Sequence, residues 1–259
     1  MLDVGIFGAT GRVGKLLINE IILDKKSHLS SVYVRNELQY DIPSNTFITS
    51  DMSSFVKTSR VIIDFSSAEA TQLLLESILE VHSNNENVPA LVIGTTGLSS
   101  NQQDLLSKVS KIVPILYSSN MSFGAALLNR IVALLSNKWR DCEIEITEIH
   151  HRYKKDAPSG TALSLANSAL KERNLDSSHL KFGREGIALR SKDEIGILSL
   201  RGGDLVGRHT VGFYGDGECL ELTHTATSRL TFAKGALKAA FWIVDKPSDL
   251  YSMSDMFEL

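Results

Sequence analysis

Cysteine is nearly absent: Cys142 and Cys219, far apart, are the only two in 259 residues. Two distant thiols make no disulfide framework, and a reducing cytoplasm is the expected setting. A strong charge of one sign is also lacking. The formal net charge of −3 argues against non-specific nucleic-acid binding, which needs a basic surface. No apolar run approaches the length needed to span a membrane. The opening residues, Leu2-Asp-Val-Gly-Ile-Phe7, have none of the cationic region, apolar run and cleavage site of a signal peptide. Neither His-x-x-x-His nor Cys-x-x-Cys occurs, so no metal site is expected. Repeats and low-complexity segments are missing as well. What remains, 43% hydrophobic, 22% charged and 7% aromatic, suits a soluble globular enzyme of one or two domains.

The chemistry concentrates in Glu148-Ile-His150-His151-Arg-Tyr-Lys154-Lys-Asp156-Ala-Pro158-Ser159-Gly160-Thr161. Upstream, Glu143 to Ile149 alternates polar and apolar residues at period two, which predicts a strand. Downstream, Thr161 to Leu170 has helical composition, and Pro158, Ser159 and Thr161 are start signals. The stretch therefore reads as a strand end, a basic loop and a helix N-terminus. Unpaired amides and the positive end of the helix dipole make such a terminus an anion site. Lys154 adds a cation, and His150 and His151 add groups that exchange protons near neutral pH. Strand parity points the two histidines to opposite faces, so at most one need line a pocket. An acidic small molecule held beside a proton donor is the function these residue types imply.

The first half has a different character. Val4-Gly-Ile-Phe7 runs into Gly8-Ala9-Thr10-Gly11-Arg12-Val13-Gly14 and then an amphipathic segment with Val13, Leu17 and Ile21 on one face. Strand, glycine-rich turn and helix are the context of a dinucleotide fingerprint, here as G-x-x-G-x-x-G. A second strand ends at Val34-Arg35, where an arginine suits a ribose 2′-phosphate and so NADPH. Apolar strands follow at 60–64, 90–93 and 113–117, with a helix carrying Leu73, Leu74, Ile78 and Val81 and another carrying Leu105, Leu106 and Val109. Their polar carboxyl ends, Gly94-Thr95-Thr96-Gly97 and Ser118-Ser119-Asn120-Met121-Ser122, belong where parallel sheets bind ligands. The alternation predicts a doubly wound, Rossmann-like parallel sheet over residues 1–122.

After a helix at 124–137 the pattern changes to strands near 194–200, 208–214 and 218–225, with Gly215-Asp216-Gly217 as a turn. Residues 123–229 are expected to be a second, α+β domain with a largely antiparallel sheet, for substrate binding and oligomerisation. A final helix carrying Phe232, Ala236, Leu237, Ala240 and Phe241 is expected to return residues 230–259 to the first domain. Only one substantial helix, from Thr161 to about Glu172, is available to cover the second sheet, and both strand faces carry apolar or small residues. Self-association through the uncovered face is the expectation.

Six motifs in order resemble those of 4-hydroxy-tetrahydrodipicolinate reductase, formerly dihydrodipicolinate reductase, of bacterial lysine biosynthesis. They are Gly8-x-x-Gly11-Arg12-Val13-Gly14, Asp64-Phe65-Ser66, Gly94-Thr95-Thr96-Gly97, Asn120-x-Ser122, the stretch from Glu148 to Thr161, and His224-x-Ala226-x-Ser228-Arg229. The resemblance implies reduction of 4-hydroxy-tetrahydrodipicolinate by NADPH or NADH, with loss of water, in a homotetramer without metal. It implies His150 as proton donor or acceptor and Lys154 as proton donor. It implies His151, Ser159, Gly160 and Thr161 as groups binding a dicarboxylate substrate. For the cofactor it implies Gly8, Ala9, Thr10, Gly11, Arg12, Val13, Arg35, Gly94, Thr95, Thr96, Ser118, Ser119, Asn120 and Met121. Val13 departs from a usual methionine, Val34 from an acidic residue used toward NADH, and Arg208 from a common glutamate. The 36–59 segment looks shorter than in many relatives.

Two other readings compete. Another dehydrogenase of the aspartate pathway would need a thiol nucleophile, and neither cysteine sits at a strand-to-helix turn. A non-catalytic dinucleotide sensor would keep the glycine turn but would not need His150, Lys154 and the Ser-Gly-Thr helix start together.

Overall fold

The computed structural model describes residues 1–35 and 38–257, so the first two residues of the 36–59 segment lie outside the described ones. The chain forms two compact units, one of residues 1–122 joined by the segment from Leu230 onward, the other of residues 123–229.

The first unit opens with β1 (Leu2–Phe7), α1 (Arg12–Leu23), β2 (Ser27–Tyr33), β3 (Phe47–Thr49) and α2 (Met52–Lys57). It continues with β4 (Val61–Asp64), α3 (Ala68–Ser83), β5 (Ala90–Ile93), α4 (Ser100–Val109) and β6 (Ile115–Tyr117). The second unit holds α5 (Phe123–Lys138), β7 (Glu143–His150), α6 (Gly160–Arg173), β8 (Leu180–Phe182), β9 (Ile195–Arg201), β10 (Gly207–Gly215) and β11 (Glu218–Ala226). The chain then returns to the first unit with α7 (Leu230–Ile243) and β12 (Leu250–Tyr251).

The first sheet has the order β12-β6-β5-β4-β1-β2-β3, with parallel pairings throughout. Its central strands are apolar end to end because helices bury both faces: Val61, Ile62, Ile63, Leu91, Val92 and Ile93 have no exposed surface. The chain builds outward from β1 to β3 and then crosses back to β4. That reversal is the switch point where such sheets open a crevice. Phe7, Asp64, Ile93 and Tyr117 are in register, so the loops after all four strands leave one sheet edge. On α3 the buried stripe is Leu74, Leu75, Ile78 and Val81, whereas Leu73 is 57% exposed. The residue expected to face the core instead borders the crevice.

The second sheet runs β11-β10-β7-β9-β8. It is mixed rather than largely antiparallel: β10 pairs antiparallel with β11 and β7, while β9 pairs parallel with β7 and β8. The cause is α6, a crossover between β7 and β8 long enough to bring the chain back in the same direction. Two helices, not one, cover the inner face. Leu128 and Val132 of α5 join Leu165, Ala166 and Ala169 of α6 against Ile144, Ile146, Ile195, Val211 and Phe213. Burying such a Leu or Ile is worth about 1.5–3 kcal/mol.

Candidate active site

Two places gather the candidate residues, one in each unit. In the first, the turn after β1 is as tight as its glycines suggest. Gly8 has φ +92° and a Cβ there would fall 2.4 Å from the Phe65 carbonyl oxygen, while a Cβ on Gly14 would fall 2.3 Å from the Gly8 oxygen. The N-cap of α1 is Gly11, which has no side chain to occupy the first-turn amides. Those N–H groups and the helix dipole are left to an outside anion. Gly8, Ala9, Thr10 and Gly11 border a cleft of about 590 Å³, together with Val34, Arg35, Phe65 and Ser66. A glycine turn, an uncapped helix start and an arginine at the second strand's end together fit a dinucleotide.

The other candidates of this unit are spread along the same edge. Arg12 is exposed and Val13 half-buried in the first turn of α1. Thr95 is 4% exposed and turned inward, its hydroxyl 3.1 Å from Asp64 Oδ1 and accepting from Ser66 N. Thr96 is exposed and Gly94 buried beneath the Phe65 ring. Ser118 donates to the Asn120 carbonyl at 2.9 Å, Ser119 is exposed, and Met121 is buried. Gly94, Thr95, Thr96 and the residues 118–121 do not border the cleft.

In the second unit β7 brings Glu148 and His150 to the inner face, following the parity set by Ile144 and Ile146. Glu148 has no exposed surface and His150 is 8% exposed. His150 Nδ1 lies 2.5 Å from Glu148 Oε2. Arg201, opposite His150 on β9, reaches both carboxylate oxygens at 2.9 and 2.8 Å. The amide of Ser159 donates to Oε1 at 3.2 Å. Burial works against the Glu148 charge, but the bonds from Arg201 and His150 outweigh it and hold the carboxyl down at about 2. Burial lowers the His150 pKa, against the pull of Glu148.

Ser159 caps α6, its hydroxyl accepting from Ala162 N at 3.2 Å. The same hydroxyl lies 2.9 Å from Nε2 of His209 on β10. His209 is 3% exposed, stands edge-on to His150 at 5.1 Å, and is pushed down to about 4 by burial first and by the charge of His150 next. Gly160 is exposed and Thr161 half-buried in the first turn of α6. Lys154 Nζ meets both oxygens of Asp156 at 2.8 and 2.9 Å, so its charge is partly answered within its own loop. His151 lies past the strand end, its amide bonded to Leu205 O at 2.8 Å and its Nδ1 buried without a partner among the described residues.

The structure thus brings His150, Ser159, Gly160 and Thr161 to one place, with Lys154 and His151 on the loop between. It adds Glu148, Arg201 and His209, to which the sequence reading assigns no role. The parity that buries Ile144 and Ile146 continues to Glu148, and that signal was available. Arg201 and His209 enter through strand pairings between distant segments, which no local pattern announces. Neither thiol offers an alternative nucleophile. Cys142 is buried, bonded to Trp139 O and raised in pKa by burial, and Cys219 is exposed on β11. No group of three or more His, Cys, Asp or Glu that could hold a metal ion occurs among the described residues. No helix among them is long and apolar enough to cross a membrane.

Comparison with known proteins agrees over the whole length. Residues 2–121 match the family described as Dihydrodipicolinate reductase, N-terminus, and residues 124–257 match Dihydrodipicolinate reductase, C-terminus. The 4-hydroxy-tetrahydrodipicolinate reductase of Helicobacter hepaticus is 59% identical, and that of Sulfurimonas denitrificans 52%, each over 100% of both chains. Among solved structures, dipicolinate-bound dihydrodipicolinate reductase from Paenisporosarcina sp. TG-14 superposes with a TM-score of 0.81 over 99% of this chain and 100% of that one, at 23% identity.

Proposed function

The chain belongs to the dihydrodipicolinate reductase family, and from that premise we propose that it reduces 4-hydroxy-tetrahydrodipicolinate to tetrahydrodipicolinate, with loss of water, at the site on β7 and α6. It is an NAD(P)H-dependent oxidoreductase; the nicotinamide supplies the hydride. The observation that carries the assignment is the convergence of a carboxylate-backed imidazole, His150, on the amide-rich start of α6. One carboxylate of the substrate binds at Ser159-Gly160-Thr161 with help from His151, drawn by the helix terminus. Lys154 meets it as a cation and donates a proton, and His150 exchanges a second proton with the reacting ring. Substrate arrival then competes with Asp156 for the Lys154 ammonium.

Gly8 to Val13, with the loops 94–96 and 118–121, hold the cofactor, and Arg35 pairs with the 2′-phosphate of NADPH. The reading is tested by following NADPH and NADH oxidation with the freshly made product of dihydrodipicolinate synthase. Turnover dependent on that product is expected, with NADPH used at least as well as NADH; its absence with both cofactors would overturn the assignment. In Arg35→Ala, affinity for NADPH should fall roughly 10- to 100-fold with NADH use unchanged, the worth of one charge-assisted contact. Equal losses would free Arg35 of that role.

The assembly proposed is a homotetramer joined through the second sheet. Its outer face carries Thr147, Ile149, Leu198, Leu200, Thr210 and Gly212, with Leu198 50% and Leu200 41% exposed. This is the face that closed symmetry would cover. Light scattering at micromolar concentration tests it, and a mass near the 28.4 kDa of one chain refutes it.

A further inference from the structure

We propose that Glu148 is a positioning residue that fixes His150 in one tautomer, with its proton on Nδ1, so that Nε2 is the atom that exchanges a proton with the substrate. The inference rests on the reading of His150 as a proton-transfer group.

Four donors converge on the two Glu148 oxygens. Oε2 meets His150 Nδ1 at 2.5 Å and Arg201 Nη1 at 2.9 Å, while Oε1 meets Arg201 Nη2 at 2.8 Å and Ser159 N at 3.2 Å. A neutral imidazole protonated on Nε2 would turn the Nδ1 lone pair onto a carboxylate oxygen at that distance, which is repulsive. A carboxyl group carrying its own proton would relieve the clash. That form is opposed by the guanidinium and the amide, which both donate to the same oxygens. The Nδ1 position therefore carries hydrogen whether the ring is neutral or cationic, and Nε2 alone changes state. No residue bonds to Nε2 among the described ones. It faces Gly207, where a Cβ would come within 2.8 Å, so the glycine leaves the imidazole its place.

The same carboxylate ties the segments of the site together. Through Ser159 it holds the start of α6, and through Arg201, which donates to the Asp156 carbonyl at 2.6 Å, it holds the loop that carries Lys154. A purely structural role would need those ties but would be indifferent to the tautomer. The two roles separate on that point. The groups facing His150 are Glu148 on its own strand, Arg201 on β9, His209 on β10 and Lys154 in the loop. Glu148 alone among them favours the cationic ring.

The test uses the full-length protein. Nitrogen-15 spectra of the histidine rings should show His150 protonated at Nδ1 in the neutral state; a ring protonated at Nε2 overturns the proposal without any variant. In Glu148→Gln, Arg201 and Ser159 compete for the single amide oxygen. The amide nitrogen is then turned to His150, where it donates to Nδ1 and forces the proton to Nε2. Turnover should fall about 10²- to 10⁴-fold, as when the carboxylate behind a catalytic imidazole becomes an amide. The KM for NADPH should stay within about threefold, and the His150 limb of the pH–rate profile should move to lower pH. Glu148→Asp, which keeps the charge, should recover part of the loss. Wild-type turnover and an unmoved profile in Glu148→Gln would refute the role. A wild-type protein that fails the reductase assay would instead remove the functional reading, leaving the tautomer to the spectra.

Discussion

Each unit contains a carboxylate with no exposed surface, Asp64 in the first and Glu148 in the second, and the two are held in opposite ways. Asp64 accepts from neutral donors: the Ser66 amide at 2.8 Å, the Thr95 hydroxyl at 3.1 Å and the Thr71 hydroxyl at 2.5 Å. Burial prevails there, and the carboxyl is raised above its ordinary range despite those bonds. Glu148 accepts from a guanidinium and an imidazole, and it is held far down. Hydrogen bonds satisfy both groups, and of the two it is the one facing a guanidinium and an imidazole that is held down. Asp64 braces the loops after β4 and β5 against α3 through neutral donors alone. Glu148 is an anion, with a lasting electrostatic effect on the ring beside it.

The comparison is tested most severely by Lys154→Ala. If the charges of the second unit serve chemistry, turnover should fall about 10²- to 10⁴-fold, since a proton donor is lost. Thermal unfolding should hardly move. Lys154 pairs with Asp156, whose side chain is 61% exposed, and such pairs are worth only about 0–1 kcal/mol. Turnover near the wild-type value would show that this charge is merely a surface feature. A large loss of stability would show that the loop is part of the fold's support.

Much of this was legible, for identifiable reasons. Apolar strands ending in glycine or serine turns are local patterns, and so is the cap of α6, which begins at Gly160 behind Ser159. The parallel sheet of the first unit follows from them. The edge strands β3, β8 and β12 span three, three and two residues, too few to carry a period, and exist because a neighbour offers a ladder. The mixed character of the second sheet was hidden for the same reason, since it depends on where β8 and β9 pair. In the site, His150 and Lys154 stand out by residue type. Glu148 is, by pattern, one more polar residue in an alternating strand, and only the long-range pairing that sets Arg201 opposite His150 distinguishes it.

Acid should separate the two units. Glu148 ordinarily titrates at 4.5 and is held at about 2. It contributes stability above the higher value, and that stability is lost as pH falls through the lower one. His209 is lowered from 6.5 to about 4. The unfolded chain takes up its proton first, so stability also falls between those values. Each shift corresponds to about 3 kcal/mol. Asp64 has the opposite sign: its folded form keeps a proton that the unfolded chain has released, so acidification through that window favours the fold. Hydrogen exchange from pH 7 to about 2 should therefore show β10, which carries His209, and β7, which carries Glu148, losing protection before β4 and β5. Equal loss in both sheets at the same pH would break the contrast.

The smallest effect is expected for Asp64→Asn, and it probes the brace directly. The asparagine carbonyl can keep the bonds from Ser66 N and Thr95 Oγ1. Its amide can donate to Thr71 Oγ1, whose hydroxyl then turns to the carbonyl four residues back, that of Ser67 at the N-cap of α3, as threonines in helices do. No cation loses its partner, because none of the three donors to Asp64 carries charge. The midpoint of urea unfolding should move by no more than about 1 kcal/mol, the net worth of one rearranged hydrogen bond. NADPH affinity should be unchanged, because Asp64 lies beneath the loops and does not border the cleft. A further loss of about 1–3 kcal/mol, the cost of a buried polar group left without a partner, would mean that the rearranged bonds do not form and that the brace needs both oxygens of the carboxyl group.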